Sequence, residues 1–227
     1  TYTGTGTAGT IGHGLATAPD MIILKRRNGD GGDTWPIFHS SINAGWKIEF
    51  NTAAEADDLS NQTFGNLPSS VTSSTFAVGT HARANADGGT YVAYLFHAVT
   101  GYSAFGKYAS NNNTTGPAID TGFEPAFVMI KAHEGNSGNW MIFDNARSPS
   151  NEAIHSLKAN DNSVELADGS NNIDFDSDGF QIKSNTDDIN GNGRSYIYMA
   201  FADKREFAYY LDQSGNNNDW ASNNLTE

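Results

Sequence analysis

The chain is written twice, and nothing else in it constrains the fold so strongly. Pro19-Asp-Met-Ile-Ile-Leu-Lys25 returns as Pro125-Ala-Phe-Val-Met-Ile-Lys131, an offset of 106 (125 − 19). Trp35-Pro-Ile-Phe38 returns as Trp140-Met-Ile-Phe143, and Asn85-Ala-Asp-Gly-Gly-Thr-Tyr91 as Asn190-Gly-Asn-Gly-Arg-Ser-Tyr196, both at 105 (140 − 35; 190 − 85). The strand-like run Tyr91–Phe96 is followed by its partner Tyr196–Phe201, and Tyr2 has a looser counterpart in Tyr108. Four landmarks kept in order at near-constant spacing define a tandem duplication. The expected units are residues 1–107 and 108–205, with an Asn/Gly-rich linker or the start of a further domain over 206–227.

Each unit reads as a series of short strands. In the first, Met21–Arg27, Trp35–His39, Trp46–Phe50, Ser74–Val78 and Tyr91–His97 are expected as strands, with the two-residue alternation clearest around Trp46, Ile48 and Phe50. Gly/Asn clusters at 28–33, 85–89, 135–138 and 190–193 punctuate them, as residues that accept positive φ do. Short strands between regular turns predict an all-β fold: two tandem antiparallel β-sandwich repeats, jelly-roll-like, with little helix. Each repeat is expected to pack as its own sandwich. Short helices are expected only at Thr52–Leu59 and Asn151–Lys158.

Composition narrows the function. Twenty-six acidic against 13 basic residues give a net charge of −13, which disfavours nucleic acid and anionic membranes as partners. With no cysteine, disulfides, thiolate metal sites and Cys nucleophiles are excluded. No run of about eighteen apolar residues is present to span a membrane as a helix. The chain starts at Thr1 and not Met, which reads as a processed chain or a piece of a longer one. A low charged fraction of 17% leaves a surface of Asn, Ser, Thr and Gly, suited to an extracellular setting.

Chemistry-bearing motifs are few. Asp174-Phe-Asp-Ser-Asp-Gly179 copies the first half of a D-x-D-x-D-G calcium loop, which makes Asp174, Asp176 and Asp178 the candidate Ca2+ ligands. The twelfth position, which should be Glu, is Asn185; a plain hairpin turn explains the same residues. The six histidines show no metal-ligand spacing, and neither a nucleophile elbow nor a P-loop occurs. Trp35 and Trp140 recur at equivalent positions and are expected in the core. Trp46 and Trp220 have no repeat partner, which makes them the candidate ligand or glycan surface.

Gly101-Tyr-Ser-Ala-Phe-Gly-Lys-Tyr108, Thr121-Gly-Phe-Glu-Pro-Ala-Phe-Val-Met-Ile-Lys131, Gly138-Asn-Trp-Met-Ile-Phe-Asp144, Asn172–Phe175, Asp178–Phe180 and Tyr196–Ala202 together resemble a repeated domain of unassigned function. That domain is found in large virion structural proteins, tail-fibre-like, of marine tailed bacteriophages including cyanophages. The tail Asp212–Trp220 resembles the opening of laminin-G-like sandwiches. The resemblance implies a non-enzymatic virion component, a tail fibre or surface-appendage module. It would sit on the virion surface, partner other virion proteins and further copies of itself, and present a surface for host attachment, with host polysaccharide a candidate receptor. It implies no catalytic residue and no cofactor. Two alternatives stand beside it: a lectin-like carbohydrate-binding module, and a polysaccharide depolymerase, for which no carboxylate pair is singled out.

Overall fold

The computed structural model describes residues 1–29, 34–42, 46–57, 63–65 and 71–203. The first copy holds β1 (Tyr2–Thr3), β2 (Gly9–Gly12), β3 (Met21–Arg26), β4 (Pro36–His39), β5 (Ile48–Glu49), β6 (Thr75–Val78) and β7 (Thr90–Phe96). The second holds β8 (Ser103–Ala109), β9 (Ala118–Asp120), β10 (Pro125–Glu134), β11 (Trp140–Asp144), β12 (Leu157–Lys158), β13 (Ile173–Asp176), β14 (Gly179–Ile182) and β15 (Ser195–Ala202). The fold is all-β and antiparallel throughout.

The two copies share one topology. The larger sheet of the first runs β1-β7-β3-β4-β5, and that of the second runs β8-β15-β10-β11-β12, element for element. A smaller sheet covers each: β2-β6 in the first, β13-β14-β9 in the second. β8 pairs with β15 over Ser103 to Ala109, so the second copy begins at Ser103, ahead of the expected boundary at 107/108. The earlier start follows from pairing: Ser103–Lys107 have their ladder partners in the second sheet.

The repeated Asn-x-x-Gly-x-(Thr/Ser)-Tyr motif turns out to be a buried staple. Asn85 donates through Nδ2 to the carbonyls of Thr7 (2.7 Å) and Gly79 (2.8 Å), and its Oδ1 accepts from Thr5 N (2.9 Å). Asn190 repeats this at the equivalent places, bonding the carbonyls of Asn113 (2.8 Å) and Ser184 (2.9 Å) and the N–H of Asn111 (3.0 Å). Tyr91 OH bridges Ala82 O and Ala86 N; Tyr196 OH bridges Asp187 O and Gly191 N. Each of these tyrosines stacks on the tyrosine of its edge strand, Tyr2 on Tyr91 at 4.9 Å and Tyr108 on Tyr196 at 5.1 Å, with an interplanar angle of 13° in both. The loose Tyr2/Tyr108 match is therefore a conserved packing pair within the duplication. Between Asn and Tyr the chain must turn through the left-handed region, at Gly88 (φ 66°) and Gly193 (φ 68°), where a side chain would be strained.

Three apolar layers stack the molecule. One outer core, with Ile22, Leu24, Phe76 and Val78, fills the first sandwich; another, with Val128, Ile130, Phe143 and Phe180, fills the second. A third layer joins the opposite faces of the two large sheets: Met21, Ile37 and Ile48 from one, Met129, Trp140, Ile197 and Met199 from the other. The expectation of two separately packed sandwiches is thus corrected. β3 and β10 carry apolar residues on consecutive positions, so both of their faces need cover, and among the described residues the neighbouring copy contributes to it on the second face. Polar contacts seal the joint. His39 Nε2 lies 3.2 Å from Tyr198 O, Ala56 N donates to His133 O, Gly138 N to Ala53 O, and Trp140 Nε1 to Glu49 O (2.9 Å).

Neither expected helix is present. Asp57 bridges Lys47, and the carbonyls of Ala53 and Ala54 turn toward Lys131; residues 58 and 59 lie outside the described set. Ala153 and Ser156 bridge Ile173 and Leu166, while Leu157 and Lys158 form β12. In both segments bridges to distant residues, and in the first the Lys131 ammonium, take backbone groups a helix would need. Among the described residues the α-helix is a single turn, α1 (Ala82–Asn85), capped by the His81 ring.

Candidate functional site

The Asp-rich motif forms a hairpin, as its bland reading anticipates. Asp174 and Asp176 stand on β13, paired to Gln181 and Gly179 of β14, with Ser177 and Asp178 in the turn. Asp174 Oδ2 is held 3.3 Å from Lys183 Nζ. The Asp178 carbonyl accepts from the N–H groups of Thr121 and Gly122, which ties the hairpin tip to the loop before β10. Among the described residues no three His, Asp or Glu side chains converge at metal-binding distance. Asp174, Asp176 and Asp178 are therefore not gathered around one point.

Trp46, one of the two surface candidates, is half-buried and packs onto the shared layer. Trp220, the other, lies outside the described residues. Trp140 is 2% exposed and sits in the shared layer, its ring centroid 5.4 Å from that of Phe50 in an edge-to-face arrangement. Trp35 is half-buried beneath Lys25, whose ammonium lies 5.3 Å from the ring. Both recurring tryptophans are thus packing residues.

Buried titratable groups gather at the joint. Lys131 is fully buried, and its ammonium donates to Ala53 O (3.0 Å), Ala54 O (2.7 Å) and Gly138 O (2.7 Å). Burial pushes it down to about 7, opposed by the carboxylates of Asp188 and Glu55. Lys47 is 2% exposed, paired with Glu49 (2.7 Å) and Asp57. Burial pushes His39 down to about 4 and lowers His133 as well. Lys131, Lys47 and His39 tie separate segments together, whereas His133 Nε2 is buried without a hydrogen-bond partner.

His39 gives a pH signature with a definite sign. The unfolded imidazole titrates near 6.5, so between pH 6.5 and about 4 the unfolded chain binds a proton that the folded chain refuses. Stability is full above pH 6.5 and falls as pH drops through that window, by about 3 kcal/mol at most. Urea unfolding from pH 7.5 to 4.5 is expected to show this loss, with a shallower slope in His39→Gln. Equal slopes in the two proteins would remove His39 as the cause.

Open, polar concavity is found at one end of the second sandwich. A cleft of about 370 Å³ lies between the 144–151 loop and Phe175, and one of about 490 Å³ lies between Gly122, Pro125, Ala126 and Asp203. Glu124 and Asn145 line both and so join them into one groove. The Glu124 carboxylate is exposed, and neither it nor the Asn145 side chain spends a hydrogen bond among the described residues. Motif reading did not select these two. The available signal was a mismatch between copies beside a shared landmark: Ala18 against Glu124 before the common proline, and Ser40 against Asn145 after the common Phe.

Fold and site together define a duplicated, fused β-sandwich with a polar surface groove, in which Glu124 and Asn145 make no side-chain hydrogen bond among the described residues. The chain belongs to the family described as a domain of unknown function, DUF7483, whose model matches residues 1–205. That one model spans both copies. No curated protein and no solved structure matches the chain.

Proposed function

We propose that the chain is a rigid structural module of a bacteriophage virion, in a tail fibre or surface appendage, that presents a surface for host attachment. The observation that carries this reading is the shared apolar layer. Two sandwiches welded through Trp140, Met129, Met199 and their partners make one stiff block, where an independent pair on a linker would flex. Stiffness of this kind suits a spacer that holds a binding surface away from a particle. The acidic, Asn/Gly/Thr-rich surface and the resemblance to virion proteins support the same role. Gold-conjugated antibody raised against the purified chain is expected to decorate a defined appendage on intact particles from the source lysate. Particles that carry no label, with the chain left in the soluble fraction, would remove the virion role.

Carbohydrate binding is the second reading, favoured by the groove at Glu124 and Asn145. It is compatible with the first, since a fibre module that grips host polysaccharide would do both.

A further inference from the structure

The two copies act as each other's control, and they differ at the groove. In the first copy Asp20 straps the end of the sandwich shut. Its Oδ1 accepts from Ser40 Oγ at 3.1 Å and its Oδ2 accepts from Ala98 N at 2.8 Å. The equivalents of Asp20, Ser40 and Ala98, by the offsets of 106 and 105, are Ala126, Asn145 and Asp203. These three line the cleft of about 490 Å³. The backbone is the same in both places: Ser40 N donates to Asp20 O, and Asn145 N to Ala126 O. Loss of one carboxylate thus leaves the same frame unstrapped, and the frame then displays an amide at 145 and, one residue before the shared proline, the carboxylate of Glu124 in place of Ala18.

We propose that this groove of the second copy is a binding site for a neutral oligosaccharide. Its volume falls within the range of about 300–1,000 Å³ usual for ligand sites. Its free groups are complementary to sugar hydroxyls: Glu124 accepts, Asn145 both donates and accepts, and the exposed Ser150 and Ser177 do the same. At the rim, next to Gly101, Tyr102 is 44% exposed with its ring held edge-on by Phe201 at 5.9 Å, a face on which a pyranose ring can stack. Glu124 and a net charge of −13 repel acidic saccharides. In the first copy Asp20 closes the equivalent frame, so one site of this kind per chain is expected. The proposal rests on the host-attachment half of the function above; the virion role does not depend on it.

The test uses the whole chain on an array of neutral oligosaccharides built from hexoses, deoxyhexoses and N-acetylhexosamines, followed by calorimetric titration of the strongest hit. Ala126→Asp with Asn145→Ser rebuilds the first copy's strap and is expected to weaken binding at least tenfold with the melting temperature kept. Glu124→Ala, a surface change, is expected to weaken it severalfold and guards against a misfolded double variant. The strapped variant binding as well as the wild type would move the site elsewhere and overturn the proposal. A wild-type chain that binds no member of the array, or whose groove is covered by a polypeptide partner, would overturn it too. Antibody labelling of particles reads the virion role separately, so the two can fail independently.

Discussion

Asn190→Ala is expected to lower the melting temperature by about 10 °C. The side chain is fully buried and joins the loop at Asn111 and Asn113 to Ser184. Alanine leaves the buried Ser184 carbonyl, and the part-buried Asn113 carbonyl and Asn111 N–H, without this partner. Each unsatisfied group costs about 1–3 kcal/mol, so roughly 4 kcal/mol in all is at stake. For a unit of this size 1 kcal/mol corresponds to about 2–4 °C. Asn190→Asp is expected to do similar damage, because a carboxylate faces the carbonyls of Asn113 and Ser184 with no proton to offer. Circular dichroism melts of the two variants beside Asn85→Ala check the idea. A fall of less than about 2 °C for Asn190→Ala would show that the staple is dispensable.

Trp140→Ala is expected to cost about 3–5 kcal/mol, the usual range for deleting a buried indole, and to act on both copies at once. The ring fills the shared layer against Phe50 and Met129, and its N–H is bonded to Glu49 O of the other copy. The wild type is therefore expected to unfold in a single calorimetric transition. The variant is expected to melt earlier, and the two sandwiches are expected to separate into two transitions because the joint loses its largest side chain. Trp140→Phe restores part of the area without the hydrogen bond and is expected to fall between. Two well-resolved transitions already present in the wild type would contradict the welded-block description.

The duplication and most of the longer strands were legible because they rest on local pattern: apolar runs, turn glycines and four recurring landmarks. β3, β4, β6 and β7 fall within a residue or so of where periodicity puts them, whereas β1 and β2 went unread because Tyr2–Thr3 and Gly9–Gly12 are too short and Gly-rich to show alternation. The shared layer was legible in part. Met21-Ile-Ile-Leu and Phe127-Val-Met-Ile are apolar at consecutive positions, which a strand with one wet face does not require. Asn85 and Asn190 look like turn residues, and only their burial shows that they clamp the chain from inside. The groove was not legible from any motif, since it arises from a missing carboxylate at Ala126 and is visible only against Asp20.

The sheet order carries a consequence for how the chain acquires its structure. In each copy the last strand in sequence is inserted next to the first: β7 lies between β1 and β3, and β15 between β8 and β10. β15 pairs along Pro125 to Glu134 on one side and Ser103 to Ala109 on the other, contacts that span most of the copy. Such long-range closure slows folding toward the range of milliseconds to seconds. Until β15 leaves the ribosome, β8 and β10 have no ladder to join them, and the apolar face of β10 stays open to stray pairing. Each copy is therefore completed from its far end, by the strand that is translated last.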